Sequence, residues 1–138
     1  MEALAVTVHL VTAIEGEDTI TADYSGLFRM RGDALQISYS EEEEGVRTAT
    51  LLSLTGERLT LSRHGGVDFT AVFCVGEPYR TVYRLGGLSF PALVTTEALH
   101  VLHGATLPAI DCTYVLDLGG EARHFSLSLR LTKKEAHA

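Results

Sequence analysis

The sequence has few cysteines, no long apolar run and no basic segment, and each absence excludes a class of protein. Its 138 residues include two cysteines, Cys74 and Cys112, too few for a disulfide framework. No apolar run approaches the roughly 18 residues of a membrane span, and the N-terminal segment lacks the basic residues of a signal peptide. Acidic residues outnumber basic ones by 18 to 11, with no basic stripe for nucleic acid. We therefore expect a cytoplasmic protein with neither nucleic-acid nor membrane partners.

Sequence motifs of catalysis and of cofactor or metal binding are also missing. The chain has no G-x-S-x-G motif, no phosphate-binding loop and no dinucleotide fingerprint. His100 and His103 have H-x-x-H spacing, but on a strand this spacing places them on opposite faces, and no third metal ligand is apparent. The sequence thus predicts no catalytic residues, no metal site and no cofactor, and it makes an enzyme the least favoured function.

Apolar and polar residues alternate along much of the chain, which is typical of half-buried antiparallel strands. The alternation is clearest in residues 4–14, 33–40, 58–63, 67–75, 109–118 and 123–132. Glycine-rich turn signals recur at intervals of roughly ten residues, as in a meander of hairpins. Without an interdomain linker, we expect a single β-barrel domain over residues 1–133 and a short C-terminal tail over residues 134–138.

One segment, residues 96–103, fits two structures. A threonine before it and a glycine after it are compatible with a short helix. The same residues also fit a strand with Leu99, Val101 and His103 facing inward. Because its surroundings are predicted as strands, we favour the strand.

A series of short motifs follows one another in an order that resembles a known family. In chain order the motifs are Ile37-Ser38-Tyr39 before an acidic run, Leu61-Ser62-Arg63-His64-Gly65, Phe73-Cys74-Val75-Gly76, Thr81-Val82-Tyr83, Gly86-Gly87, Thr95-Thr96 and Cys112-Thr113-Tyr114. They extend over nearly the whole chain. Their order and spacing resemble the YwiB-like family of small bacterial proteins, a domain of unknown function.

This resemblance implies an all-β fold, a closed antiparallel eight-stranded barrel of the calycin or lipocalin-like type, in a cytoplasmic bacterial protein. It implies no activity. Calycin barrels often hold a small hydrophobic ligand, which is an analogy at the level of the fold.

Polar side chains that share the apolar face of their strands are the candidates for a binding site inside the barrel. The candidate ligand-binding residues are Tyr39, Arg63, Thr81, Tyr83 and Tyr114. Tyrosine hydroxyls can orient a ligand in an apolar pocket, but they also occur in protein cores with the hydroxyl bonded to backbone.

Arg63 has two interpretations. It follows Leu59 and Leu61 on the inward face, so its guanidinium would lie at the barrel mouth and could bind a ligand carboxylate or phosphate. Alternatively it pairs with strand-end carbonyls or with an acidic side chain and closes the barrel end. A buried guanidinium needs a partner in either case. The acidic run of residues 41–44 is interpreted as a solvated loop tip.

Two functions remain after these exclusions. The first is a non-catalytic module that binds a small amphipathic ligand, hydrophobic or anionic, inside the barrel. The alternative is a structural or interaction protein, a homodimer with a filled barrel, suggested by apolar residues opposite the core face. These outward residues are Leu51, Val72, Val82 and Val115. By the same parity, Cys74 is predicted to face outward and Cys112 inward.

Overall fold

Antiparallel strands close into a barrel in the computed structural model, which describes residues 3–103 and 107–134. The described residues form ten strands: β1 (Leu4–Ile14), β2 (Ile20–Arg31), β3 (Ala34–Glu43), β4 (Val46–Thr55), β5 (Arg58–Gly65), β6 (Val67–Phe73), β7 (Tyr79–Leu85), β8 (Leu88–His103), β9 (Pro108–Leu118) and β10 (Glu121–Lys133). Each strand pairs with its neighbours in sequence, and β1 pairs with β10 to close the sheet. The predicted all-β closed antiparallel meander is confirmed.

The expected number of eight strands is wrong, because the described part of the chain forms ten. The strand that sequence patterning missed most clearly is β2. Apolar and polar residues alternate along β2, but Gly26 at an inward position and the outward Leu27 interrupt the alternation at its centre. β2 nevertheless forms a strand paired with both β1 and β3, because backbone hydrogen bonds do not depend on side-chain polarity.

Gly26 also sets how closely β2 and β3 approach. A Cβ atom added to it would lie 2.5 Å from the Ser38 carbonyl oxygen and 3.3 Å from Cβ of Tyr39. Such a contact is well inside van der Waals distance, so the strands require glycine here.

Much of the apolar core lies toward one end of the barrel. Its largest fully buried side chains are Ile37, Leu59, Ile110, Leu129, Val6, Val8, Val94 and Cys112. On β1, β3, β5 and β9 these residues lie in the first half of the strand, so they share one end of the antiparallel barrel. Burying each large aliphatic side chain contributes about 1.5–3 kcal/mol.

The structure resolves the ambiguous segment: residues 96–103 belong to β8, as predicted, with a bulge between Thr96 and Ala98. Cys112 faces the core as predicted. Cys74 is 7 % exposed but lies outside the core cluster, and its thiol donates a hydrogen bond of 3.2 Å to Glu77. The strand predicted to reach residue 75 ends at Phe73.

The predicted C-terminal tail lies mostly outside the described residues, which end at Lys134. The amide of Lys134 donates a hydrogen bond of 3.0 Å to the carbonyl of Ala5. The division into a domain over residues 1–133 and a tail over residues 134–138 stays a prediction.

Within the described residues, no helix is long and apolar enough to cross a membrane.

Candidate functional site

A cavity of about 300 Å³ opens at the end of the barrel opposite the core. The residues that line it are Leu10, Thr12, Ile20, Ala22, Tyr24, Tyr39, Glu41, Leu52, Leu61, Arg63, Phe73, Tyr114, Phe125 and Leu127. On β1, β3 and β5 they follow the buried residues Val8, Ile37 and Leu59 along the inward face. The barrel is therefore hollow over part of this end.

An ion pair lies in the wall of this cavity. The Arg63 guanidinium donates a hydrogen bond to Oε1 of Glu41. The hydroxyl of Tyr24 donates a hydrogen bond of 3.1 Å to Oε2 of the same carboxylate. Both side chains of the ion pair are about one quarter exposed, at 26 % for Arg63 and 27 % for Glu41. Both carboxylate oxygens of Glu41 thus accept a hydrogen bond. The partner of Arg63 is an acidic side chain.

Aromatic rings form much of the remaining wall. Tyr24 and Tyr39 stack with their centroids 4.9 Å apart, and Tyr114 and Phe125 stack at 5.1 Å. Phe73 packs obliquely against Tyr114 at 4.7 Å. The flat faces and edges of these rings suit a planar apolar ligand.

The cavity tyrosines are held in their protonated form. Burial, with a smaller contribution from the Glu41 carboxylate, raises the pKa of Tyr24 to about 12. Burial likewise raises the pKa of Tyr39 and of Tyr114. At neutral pH these hydroxyls can donate hydrogen bonds but cannot act as phenolate bases.

The structure brings three of the five predicted site residues together. Tyr39, Arg63 and Tyr114 line the cavity. Tyr83 instead packs against Phe69, with ring centroids 5.3 Å apart, and Thr81 pairs with Ala92 between β7 and β8. Neither Tyr83 nor Thr81 is among the residues that line the cavity.

Sequence reasoning missed two residues of the cavity, Glu41 and Tyr24. The interpretation of residues 41–44 as a loop tip is wrong for the first three, since β3 continues through Glu43. Glu41 lies two residues beyond Tyr39, so the same parity that placed Tyr39 inward also applied to Glu41. Tyr24 lies on β2, which is not among the segments predicted as strands.

Two chains of hydroxyl, imidazole and carboxylate lie on the outer surface of the barrel, Thr132–His9–Asp23 and Ser62–His64–Asp68. The imidazoles of His9 and His64 are 36 % and 69 % exposed. Acyl transfer by such chains needs oxyanion donors in a site that excludes water, and the sheet amides beside them are used in strand pairing. We interpret both chains as polar contacts of the solvated face.

Two larger depressions are less suited to a ligand than the barrel cavity. One, of about 460 Å³, is lined within the described residues by Gly56, Glu57, Val75, Leu99 and Val101. The other, of about 580 Å³, is an open groove across the outer face of β2 to β5. The first has no aromatic wall among these residues, and the second is broadly open to solvent. Volume alone therefore does not identify the site.

Comparisons with known proteins agree with the fold. Residues 6–131 match the family described as a domain of unknown function, DUF1934. The crystal structure of the ywiB protein from Bacillus subtilis is similar, with a TM-score of 0.81, 16 % sequence identity, and coverage of 95 % of this chain and 94 % of that chain. That identity supports a shared fold alone. No curated protein matches the sequence. The resemblance to YwiB-like proteins is confirmed, and the chain belongs to the DUF1934 family.

Proposed function

We propose that the protein binds a small, mainly apolar molecule in the barrel cavity, with the polar group of the ligand beside Arg63, Glu41 and Tyr24. The observation that carries this proposal is the hollow end of the barrel, where a cavity of about 300 Å³ combines aromatic walls with a few convergent polar groups. Small-molecule sites share this composition, and their volumes begin at about 300 Å³.

The size of the cavity limits the ligand. An apolar cavity of about 150 Å³ can hold one benzene ring, so this one suits a molecule of about one or two rings. Each Å² of apolar surface that the ligand buries contributes about 25 cal/mol. The hydrogen-bonding groups at Arg63 then fix its orientation.

Native mass spectrometry of the freshly purified protein tests this proposal. We expect a stoichiometric extra mass that disappears on denaturation. Ala22→Phe, which places a ring in the cavity, should abolish this extra mass. Ala5→Phe is the matched control, because Ala5 is exposed on the neighbouring strand β1 and should leave the extra mass unchanged. Equal retention of the extra mass by both variants would place its binding site elsewhere.

A homodimer is the second candidate, and exposed apolar residues of the β7–β8 hairpin favour it. Leu88 is 62 % exposed, Leu85 47 %, Val82 40 % and Phe90 38 %. Sedimentation at micromolar concentration is expected to show a dimer that Leu88→Asp converts to a monomer. A wild-type monomer would remove this candidate.

A cytoplasmic location is part of the proposal. The two cysteines, Cys74 and Cys112, are both free thiols, which fits a reducing compartment. Fractionation of cells that produce the protein tests this point, and recovery outside the cytoplasm would contradict it.

A further inference from the structure

The charges around the barrel cavity restrict which ligands it accepts. We infer that the cavity selects uncharged aromatic ligands that carry a hydrogen-bond acceptor, such as a carbonyl oxygen, and that Glu41 excludes carboxylates. This inference rests on the proposed function and names its ligand class.

The first reason is that the positive charge of Arg63 is already compensated. Its guanidinium pairs with Glu41, and both side chains are mostly buried. A ligand carboxylate at this point would become a second anion beside Glu41, where solvent screens the repulsion only in part. An arginine without such a partner would instead attract an anion.

The second reason is that Glu41 is held in place. One carboxylate oxygen accepts from Arg63 and the other from Tyr24, whose ring stacks on Tyr39. To make room for an anionic ligand, Glu41 would have to give up both bonds. Hydrogen bonds to ionised groups are stronger than those between neutral groups, so this displacement is unfavourable.

The third reason is the acidic rim of the cavity. Ile20 lines the cavity and is 56 % exposed, which places the opening beside the turn between β1 and β2. This turn and the neighbouring one between β3 and β4 expose Glu15, Glu17, Asp18, Glu42, Glu43 and Glu44. Two bases offset part of this charge, since Arg123 pairs with Glu17 and Arg47 lies opposite Glu42 on β4. The carboxylates that remain give the opening a negative potential that disfavours approaching anions.

The hydrogen-bonding groups left for a ligand are donors. Arg63 has five N–H donors, and Glu41 engages one of its two terminal nitrogens. Tyr114 lines the cavity, and its hydroxyl makes no side-chain hydrogen bond within the described residues. Both oxygens of the Glu41 carboxylate already accept hydrogen bonds from the protein. A ligand with a carbonyl oxygen complements these donors.

Two probes of nearly the same shape test the inference, 2-naphthamide, which is uncharged, and 2-naphthoate, which is anionic at pH 7. Isothermal titration at physiological salt is expected to give at least about tenfold tighter binding of the amide by the wild-type protein, a ratio that corresponds to about 1.4 kcal/mol. In Glu41→Gln the positive charge of Arg63 is no longer compensated, so naphthoate should gain at least about tenfold and the preference should vanish or reverse.

Glu57→Gln is the matched control. It removes the same charge at an exposed position in the turn between β4 and β5, at the end of the barrel away from the cavity, so screening should limit its effect on the ratio to about twofold. The melting temperature of each variant verifies folding.

The outcomes separate this inference from the proposed function. The inference is overturned if the wild-type protein binds naphthoate as tightly as the amide. It is also overturned if Glu41→Gln leaves the affinity ratio of the two probes unchanged. In both cases the proposed function, binding of a small molecule in the cavity, still stands. Failure of the wild type to bind either probe at millimolar concentration overturns both.

Discussion

Arg63 reaches across an intervening strand to donate a hydrogen bond to Glu41, from β5 over β4 to β3. The residues of β4 that lie between them on the inward face are two buried threonines, Thr48 and Thr50. Their short side chains leave space above β4, which the two long side chains fill. The ion pair thus ties together three strands at the hollow end of the barrel.

Breaking this ion pair should lower stability measurably. We expect a double-mutant cycle of Arg63→Met and Glu41→Gln to give a coupling free energy of about 1–2 kcal/mol, between the values for exposed and for fully buried pairs. Urea denaturation of the four proteins measures it, with equal m-values as the sign that unfolding is comparable.

A second ion pair, on the outer face of the barrel, serves as the comparison for this double-mutant cycle. Arg130 donates hydrogen bonds of 2.9 and 3.2 Å to the two oxygens of Asp111 and lowers the pKa of that carboxyl. Both side chains are more exposed, at 45 % and 39 %, so their coupling should stay below about 1 kcal/mol. A larger coupling for the outer pair than for Arg63 and Glu41 would contradict the burial argument.

Alkaline pH should destabilise the barrel through Tyr24. Its pKa is about 12 in the folded protein, against 10.0 for an unperturbed tyrosine, so between pH 10 and 12 the unfolded chain loses this proton first. The stability that comes from this difference is fully present below pH 10 and is lost as the pH rises through 12. We expect Tyr24→Phe to remove about 1–2 kcal/mol of the alkaline loss, allowing for partial exposure.

Urea midpoints of the wild type and Tyr24→Phe at pH 8, 10 and 11.5 measure this difference, with absorbance at 295 nm to follow tyrosine ionisation. The other ionisable side chains are the same in both proteins, so the comparison isolates the contribution of Tyr24. Parallel pH profiles for the two proteins would show that Tyr24 is not linked to folding.

Much of the fold was predictable from the sequence because half-buried strands repeat with period two. That rule predicted the closed antiparallel meander and placed Tyr39, Arg63 and Tyr114 on its inner face. The rule is less informative at the centre of β2, where Gly26 has no side chain on the inward face and Leu27 is apolar on the outward face. The eight strands implied by the calycin resemblance were too few, because the described residues form ten.

The candidate site was only partly predictable, for a different physical reason. Glu41 was assigned to solvent because charged runs are usually exposed, although its parity pointed inward. Burial of a carboxylate becomes favourable only with specific partners, and Arg63 and Tyr24 reach it from other strands. Such contacts across strands depend on register and barrel curvature, which one sequence does not reveal.

The packed core and the wall of the cavity should differ in their response to truncation. Leu59 and Leu61 are inward neighbours on β5, but Leu59 is fully buried whereas Leu61 borders the cavity. Leu59→Ala leaves a new void and should cost about 2–5 kcal/mol. Leu61→Ala enlarges a cavity that already exists, loses fewer contacts and should cost about 1–2 kcal/mol. Urea denaturation measures both, and equal costs would mean that the wall around Leu61 is packed as tightly as the core.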